Sequence, residues 1–297
     1  MKLGFILSDE HYNFRYTQFV LELAEELSSL NHSVVVFSNN TESSKHTILP
    51  ISAVTKTTLD TIIFYSLLQR DICLSSPAKN KIFYFMNPVE VYKDSRVLRG
   101  GDFRVLRGGD FRVLGISSVC GVILESTFNI KKVPIIPGSI GKACLGYNPA
   151  ILKDVGITKL VDYDYLQGDS VASCAIDFVR GVVDNISVTT TNYKDIHNCY
   201  NRSILYVTAS SLIGFDFCAL EALYCGCCVV STYQSDFLSK KNSVISRNNA
   251  YHLSRNISEI LQNTDLRTQL RKTGLTVNNT EQYSLKTVAQ NFIKEIQ

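Results

Sequence analysis

The run Val207-Thr-Ala-Ser-Ser-Leu-Ile-Gly-Phe-Asp-Phe-Cys-Ala-Leu-Glu-Ala-Leu-Tyr-Cys-Gly-Cys-Cys-Val-Val-Ser231 reads as strand, glycine turn, short helix, glycine stop and second strand. Gly214 lets the backbone approach a ligand closely where the loop turns. The first amides of a helix opening near Asp216 form an anion site suited to a diphosphate. Glu221 follows about one and a half helical turns later. A carboxylate there can accept from two vicinal hydroxyls, as on a ribose. Gly226, tolerant of positive φ, ends the helix. Together these features predict a nucleotide-sugar site on a doubly wound α/β sheet.

Working outward from this run, the same architecture recurs. Residues 2 to 8 form a buried-strand run, Tyr16 to Leu30 an amphipathic helix and Ser33 to Ser38 a second buried strand, which is a βαβ unit. Thr61 to Tyr65 and Lys81 to Met86 fit further parallel strands, and Val119 to Leu124 and Val133 to Ile136 are read as the β-rich runs that close the first half. Pro134, Pro137 and Gly138 punctuate the passage to a second domain, so the boundary is placed at 138, giving domains 1–138 and 139–297. In the second half, Lys159 to Leu166 and Ser187 to Thr190 read as strands. Asp169 to Val183, Asp195 to Asn201, Ala250 to Leu261, Thr264 to Gly274 and Ser284 to Gln297 read as helices.

The run resembles the donor-site signature of retaining glycosyltransferases of the GT-B fold, family-four type. That pattern runs roughly Ser-x-x-Glu-Gly-Phe-Gly-x-x-x-x-Glu-Ala-x-x-x-Gly-x-Pro-Val-Val. Ser210, Gly214, Phe215, Glu221, Ala222, Gly226, Val229 and Val230 stand in its places. The first glutamate of the pattern is Ile213 here, and its second glycine is Asp216, which is expected to supply the lost sugar-hydroxyl contact from a shifted position. Ile135-Ile-Pro-Gly-Ser-Ile140 is similar to the family's interdomain linker, and Asp265 to Gly274 and Tyr283-Ser-Leu285 are similar to its closing elements. The resemblance implies two Rossmann-like doubly wound domains facing a central cleft, with the last helix, 284–297, crossing back to the first domain. It also implies retaining transfer from a nucleotide-activated, UDP-linked sugar, with no cofactor and no metal.

On that reading the donor is held by Ser210, Gly214, Phe215, Asp216, Phe217, Glu221 and Lys142. The family has an arginine and a lysine after the first strand of its second domain, whereas Tyr163-Asp-Tyr-Leu-Gln-Gly168 has no cation. Lys142, Lys153, Lys159 and Arg180 are the substitutes within sequence reach. At the exit of the opening strand, Asp9 or His11 is a candidate general base, and Asp9 equally fits a helix cap. Arg15, Asn87, Glu90, Arg99 and Arg107 are candidate acceptor-binding residues.

Arg99 and Arg107 belong to an exact repeat, Val97-Leu-Arg-Gly-Gly-Asp-Phe-Arg104 and Val105 to Arg112. Its period is too short for a solenoid, so it reads as an inserted loop excursion or, alternatively, as a basic lip that grips phosphates. The repeat favours an anionic acceptor such as a hydroxymethylated base in phage DNA. The alternatives are a lipid-linked or polysaccharide hydroxyl, or a catalytically silent relative that binds a nucleotide or a partner.

Net charge is only +3, which argues against a uniformly basic nucleic-acid binder and leaves local patches as the relevant feature. No apolar run approaches the length of a membrane span, and nine irregularly spaced cysteines without a signal peptide point to a reducing cytoplasm, the host's if the chain is viral. Asp162-Tyr-Asp164 matches the Asp-x-Asp of the metal-dependent glycosyltransferase fold, but three-letter motifs are common and this one alternates along a strand. Cys225, Cys227 and Cys228 lack the spaced pairs of a zinc site. His32, His46, His197 and His252 lack ligand spacing and are expected in surface or loop positions.

Overall fold

The computed structural model describes residues 1–7, 14–39, 47–88, 111–160, 168–184, 186–191, 196–209, 214–277 and 281–297. Two compact units result, Met1–Ser139 with Gln282–Gln297, and Ile140–Glu281.

The first unit contains β1 (Lys2–Ile6), α1 (Phe14–Ser29), β2 (Ser33–Phe37), β3 (Thr47–Leu49), β4 (Thr61–Phe64), α2 (Arg70–Leu74), β5 (Asn80–Phe85), β6 (Arg112–Gly115) and α3 (Ser118–Phe128). The strands are parallel in the order β3-β2-β1-β4-β5-β6. Strands covered on both faces need continuous apolar runs, and the Thr61-Ile-Ile-Phe64 strand is buried throughout. Gly4 lies where a Cβ would stand 2.5 Å from a methyl of Leu59, so the Leu59 side chain packs directly on the β1 backbone. The order reverses between β1 and β4, which marks the carboxyl ends of those strands as the ligand edge of this sheet. The C-terminal helix, Leu285–Ile296, packs here, with Phe292 against Phe5 and Tyr84 at ring separations of 6.2 and 5.6 Å.

Three readings of the first half require correction. Val119 to Leu124 lies within a helix, because Ser117 caps it by accepting from the Cys120 amide and a short apolar run does not by itself distinguish strand from helix. Val133 to Ile136 forms no strand and contributes an isolated bridge from Ile135 to Gly115. The last strand of the sheet is instead β6, which begins at Arg112, the final residue of the repeat. Its short apolar core, Val113-Leu114, was concealed by the repeat's own period.

The second unit contains β7 (Val155–Leu160), α4 (Gly168–Arg180), β8 (Val188–Thr191), α5 (Ile196–Arg202), β9 (Ser203–Thr208), α6 (Phe217–Tyr224), β10 (Cys228–Ser231), β11 (Val244–Ile245), α7 (Ala250–Gln262) and α8 (Thr264–Val277). Its sheet is parallel in the order β11-β10-β9-β7-β8. The strand placed at Lys159 to Leu166 lies earlier, at Val155–Leu160. Buried Val155 and Ile157 anchor it in the sheet, and residues 161–167 fall outside the described residues. The core is aliphatic, with Ile157, Leu205, Val207 and Val230 of the sheet against Ala175, Ile176 and Val179 of α4 and Leu253, Ile257 and Ile260 of α7. The order reverses between β7 and β9, so the turns after β7 and β9 open at the switch point. Among the described residues, no helix is long and apolar enough to cross a membrane.

Candidate functional site

The carboxyl end of β9 leads through residues 210–213, which include Ser210 and Ile213 and lie outside the described residues, to Gly214 and the start of α6. Phe215 and Phe217 stack edge to face at 4.9 Å, and Phe237 closes on Phe215 at 5.3 Å. All three rings are buried, so they stiffen the turn and leave its backbone, not its side chains, as the part that could meet a ligand.

Asp216 is the N-cap of α6 and only 1 % exposed. Its Oδ1 accepts from the Ala219 amide at 2.9 Å, and its Oδ2 accepts from the Thr208 hydroxyl at 3.0 Å and from the Tyr233 hydroxyl. Burial raises its carboxyl pKa above the ordinary value, while these donors act in the opposite direction. The carboxylate expected to reach a sugar hydroxyl is therefore engaged in tying the ends of β9 and β10 to the helix start. It also takes up part of the amide cluster that sequence reasoning reserved for a diphosphate.

Glu221 lies on the same helix, at 0 % exposure. Its Oε1 accepts from the Gly141 amide at 3.1 Å, and its Oε2 lies 3.9 Å from His197 Nδ1. The carboxylate expected to meet a ribose is thus covered by the stretch around Gly141 and flanked by α5. Cys144 lies in that stretch. Its Sγ is 3.8 Å from the Glu221 carbonyl and 3.5 Å from Cys225 Sγ, at the C-terminal end of α6. Cys225 hydrogen-bonding, with help from His197, lowers the Cys144 thiol pKa, and burial and the Glu221 carboxylate oppose this. Gly226, at φ 71°, ends α6 as its sequence position predicts, and a Cβ there would meet the Tyr147 ring at 2.8 Å.

His197 and Cys144 are the residues that sequence reasoning missed. His197, expected on the surface or in a loop, belongs to α5 with its side chain only 14 % exposed. Its ring meets Tyr200 edge to face at 6.0 Å. The i, i+3 spacing of His197 and Tyr200 on an amphipathic helix was the available signal. Nothing in the local sequence relates Cys144 to α6.

The substitute cations separate clearly. Lys142 is exposed beside Gly141. Lys153 donates to the carbonyls of Tyr200, Ser203 and Cys225 at 3.2, 2.7 and 3.3 Å, and burial lowers its pKa. Lys159 donates to Ser173 Oγ at 2.7 Å from a buried position. Arg180 ends α4 beside Asp177. In a parallel crossover the end of that helix lies at the amino edge of the sheet, away from the switch point. Lys153 and Lys159 are thus engaged inside the fold, and Arg180 lies at the edge opposite the switch point.

In the first unit Arg15 is only 1 % exposed. Its guanidinium donates to Glu22 Oε2 at 3.4 Å and to the Ser139 carbonyl at 3.2 Å, so both contacts hold it inside the fold. Asn87 is half-buried just past β5. Asp9, His11, Glu90, Arg99 and Arg107 lie outside the described residues. Among the described residues, no cluster of three or more His, Cys, Asp or Glu side chains could hold a metal ion.

Two parallel, doubly wound sheets joined in this order, with a C-terminal helix that packs on the first, define the GT-B glycosyltransferase fold. Residues 180–276, from the end of α4 to α8, match the family described as glycosyl transferases group 1. No curated protein sequence matches the chain. Among solved structures, HepE of Anabaena in complex with UDP and glucose superposes with a TM-score of 0.78 at 10% identity, covering 99% of each chain. A glycosyltransferase from Rickettsia africae superposes at 0.76 with 13% identity, covering 99% of this chain and 97% of its own. WaaG, a glycosyltransferase involved in lipopolysaccharide biosynthesis, superposes at 0.74 with 12% identity, covering 99% of each chain.

Proposed function

We propose that the protein transfers a sugar from a nucleotide-sugar donor, UDP-linked, to an acceptor hydroxyl, with retention of configuration and without a metal. The observation that carries this reading is the position of Glu221. It stands on the helix after the switch-point strand, inside the segment that matches group 1 glycosyl transferases. In this reading Glu221 accepts from the donor ribose hydroxyls, the backbone of Gly214 to Phe217 lies along the diphosphate and sugar, and Lys142 supplies positive charge. HepE, which shares the fold, is known with UDP-glucose bound, and this supports the choice of nucleotide. Glu221 is wholly buried, so for the ribose to reach it the cover around Gly141 must open. Donor binding therefore requires the stretch around Gly141 to move.

The acceptor is proposed to be anionic, a hydroxymethylated base in DNA, on the strength of the five arginines between Arg96 and Arg112. Such a base must leave its stack to enter a site, and binding must weaken with salt. Asp9 or His11 is proposed as the group that takes the acceptor proton.

The test is to offer UDP-, GDP- and ADP-sugars with plain and hydroxymethylated duplexes, recording the mass of the DNA and the release of free sugar, beside the Glu221→Gln variant. Gln keeps an acceptor for the Gly141 amide, so folding is preserved while the charge is lost. Sugar release by the wild type that Glu221→Gln reduces supports the transferase. DNA of unchanged mass in every combination removes the DNA acceptor.

A second reading, a silent GT-B protein that binds a nucleotide or a partner, is favoured by the complete burial of Glu221 and by Ile213 in the place of the family's first glutamate. It predicts no sugar release from any donor.

A further inference from the structure

We propose that Cys144 and Cys225 are a site of reversible oxidation, and that the disulfide they form fastens the stretch from Gly141 to Cys144 over the Glu221 carboxylate. The Sγ atoms are 3.5 Å apart, although the residues are 81 positions apart in the chain. A disulfide bond of about 2.05 Å is reached by closing roughly 1.5 Å, the scale of a side-chain adjustment.

Both residues converge on Glu221. Gly141, three residues before Cys144, donates to the Glu221 carboxylate at 3.1 Å, and the Cys225 amide donates to the Glu221 carbonyl at 2.9 Å. A covalent link between them joins the cover to the end of the helix that carries the carboxylate.

The chemistry of the pair is asymmetric. Cys144 is 7 % exposed against 1 % for Cys225, and its contacts with Cys225 and His197 lower its thiol pKa, so it is the sulfur that meets the oxidant first and acts as the nucleophile. The hydrogen bond with Cys144 and burial push the Cys225 thiol up, so it acts as the resolving partner. The proposed oxidant is hydrogen peroxide. The Cys144 thiolate attacks one peroxide oxygen, giving a sulfenic acid and hydroxide. Cys225 then attacks the sulfenic sulfur, forming the S–S bond and releasing the second oxygen as water. In total, two thiols and one peroxide give one disulfide and two waters.

Neighbouring thiols are situated differently. Cys227 donates to the Tyr200 carbonyl at 3.0 Å and Cys228 to the Arg267 carbonyl at 3.5 Å. Burial pushes them up to about 12 and about 11, which leaves them unreactive.

The effect on donor binding rests on the reading of Glu221 as the ribose ligand, whereas the disulfide and the fastening do not. The reduced full-length protein is treated with hydrogen peroxide, then denatured and alkylated, and its free thiols are counted by mass. The wild type should lose two alkylatable thiols and regain them with dithiothreitol. Cys227→Ser should behave like the wild type, and Cys144→Ser and Cys225→Ser should form no internal disulfide. A wild type that keeps all its thiols, or loses two equally well in Cys225→Ser, overturns the site.

Amide exchange at residues 140–144 should slow about tenfold after oxidation, and unchanged exchange overturns the fastening. UDP affinity by calorimetry should fall about tenfold after oxidation and recover on reduction. Equal affinity in both forms overturns the effect on binding. UDP that binds neither form rejects the donor reading instead, and the thiol count and amide exchange still decide the disulfide.

Discussion

Replacing Asp216 separates a carboxylate that holds the fold from one that meets a sugar. Asp216→Ala removes the N-cap of α6, which costs about 1 kcal/mol. It also strips an acceptor from the Thr208 and Tyr233 hydroxyls, at about 1 kcal/mol each. The expected loss is therefore about 3 kcal/mol, which for a unit of roughly 150 residues lowers Tm by about 10 °C. Asp216→Asn keeps the oxygen that accepts from Ala219 and offers an amide to the two hydroxyl oxygens, so it should cost less than about 1 kcal/mol.

The charge acts in the opposite direction to these hydrogen bonds. Burial raises the folded-state pKa of Asp216, so its contribution is fully present below the ordinary aspartate value and is lost as pH rises through the folded value. Asn has no such loss, so the gap between wild type and Asp216→Asn should narrow as pH rises through that window. The chain contains no tryptophan, so unfolding is best followed by far-UV circular dichroism in urea, with Tyr233→Phe alone and combined with Asp216→Ala to measure the coupling. If Asp216→Ala unfolds with the wild-type midpoint while a UDP-sugar no longer binds, the carboxylate faces the ligand and the structural assignment is wrong.

Two further outcomes follow from groups that the fold has already engaged. Lys153→Met should destabilise the protein by about 3 kcal/mol, because three carbonyls lose a charged donor, whereas Lys142→Ala, at an exposed position, should shift the urea midpoint far less and weaken UDP binding. The reverse pattern would exchange their roles. For pH, the Cys227 and Cys228 thiols are raised from 9.0 to about 12 and about 11. Their contribution is complete below pH 9 and is lost as pH rises toward those values, by about 1.4 kcal/mol per unit per thiol. Lys153, lowered by burial, acts in the opposite direction below 10.5, so the measured quantity is the difference between wild type and Cys227→Ala, whose stability should decline less steeply above pH 9. Identical slopes would mean that Cys227 does not titrate differently in the two states.

The sequence alone determined much of the architecture. Apolar runs placed β1, β2, β4, β5, β9 and β10, helical spacing placed α1, α7, α8 and the C-terminal helix, and Gly226 marked the end of α6 because only positive φ ends it there. Where local signals conflicted, the reading failed. Ser117 made a helix of a run that resembled a strand, and the repeat concealed β6.

The sequence could also place Glu221 on its helix, because spacing within one element is a local property. Tertiary structure alone decided the state of that carboxylate and of its neighbours. The Gly141 amide that covers Glu221 comes from 80 residues away, Arg15 and Lys153 are committed to carbonyls far along the chain, and the Cys144–Cys225 contact spans 81. Whether a charged or reactive side chain is available to a ligand depends on which distant backbone groups reach it first. That competition is settled only when the sheet and its connections have closed.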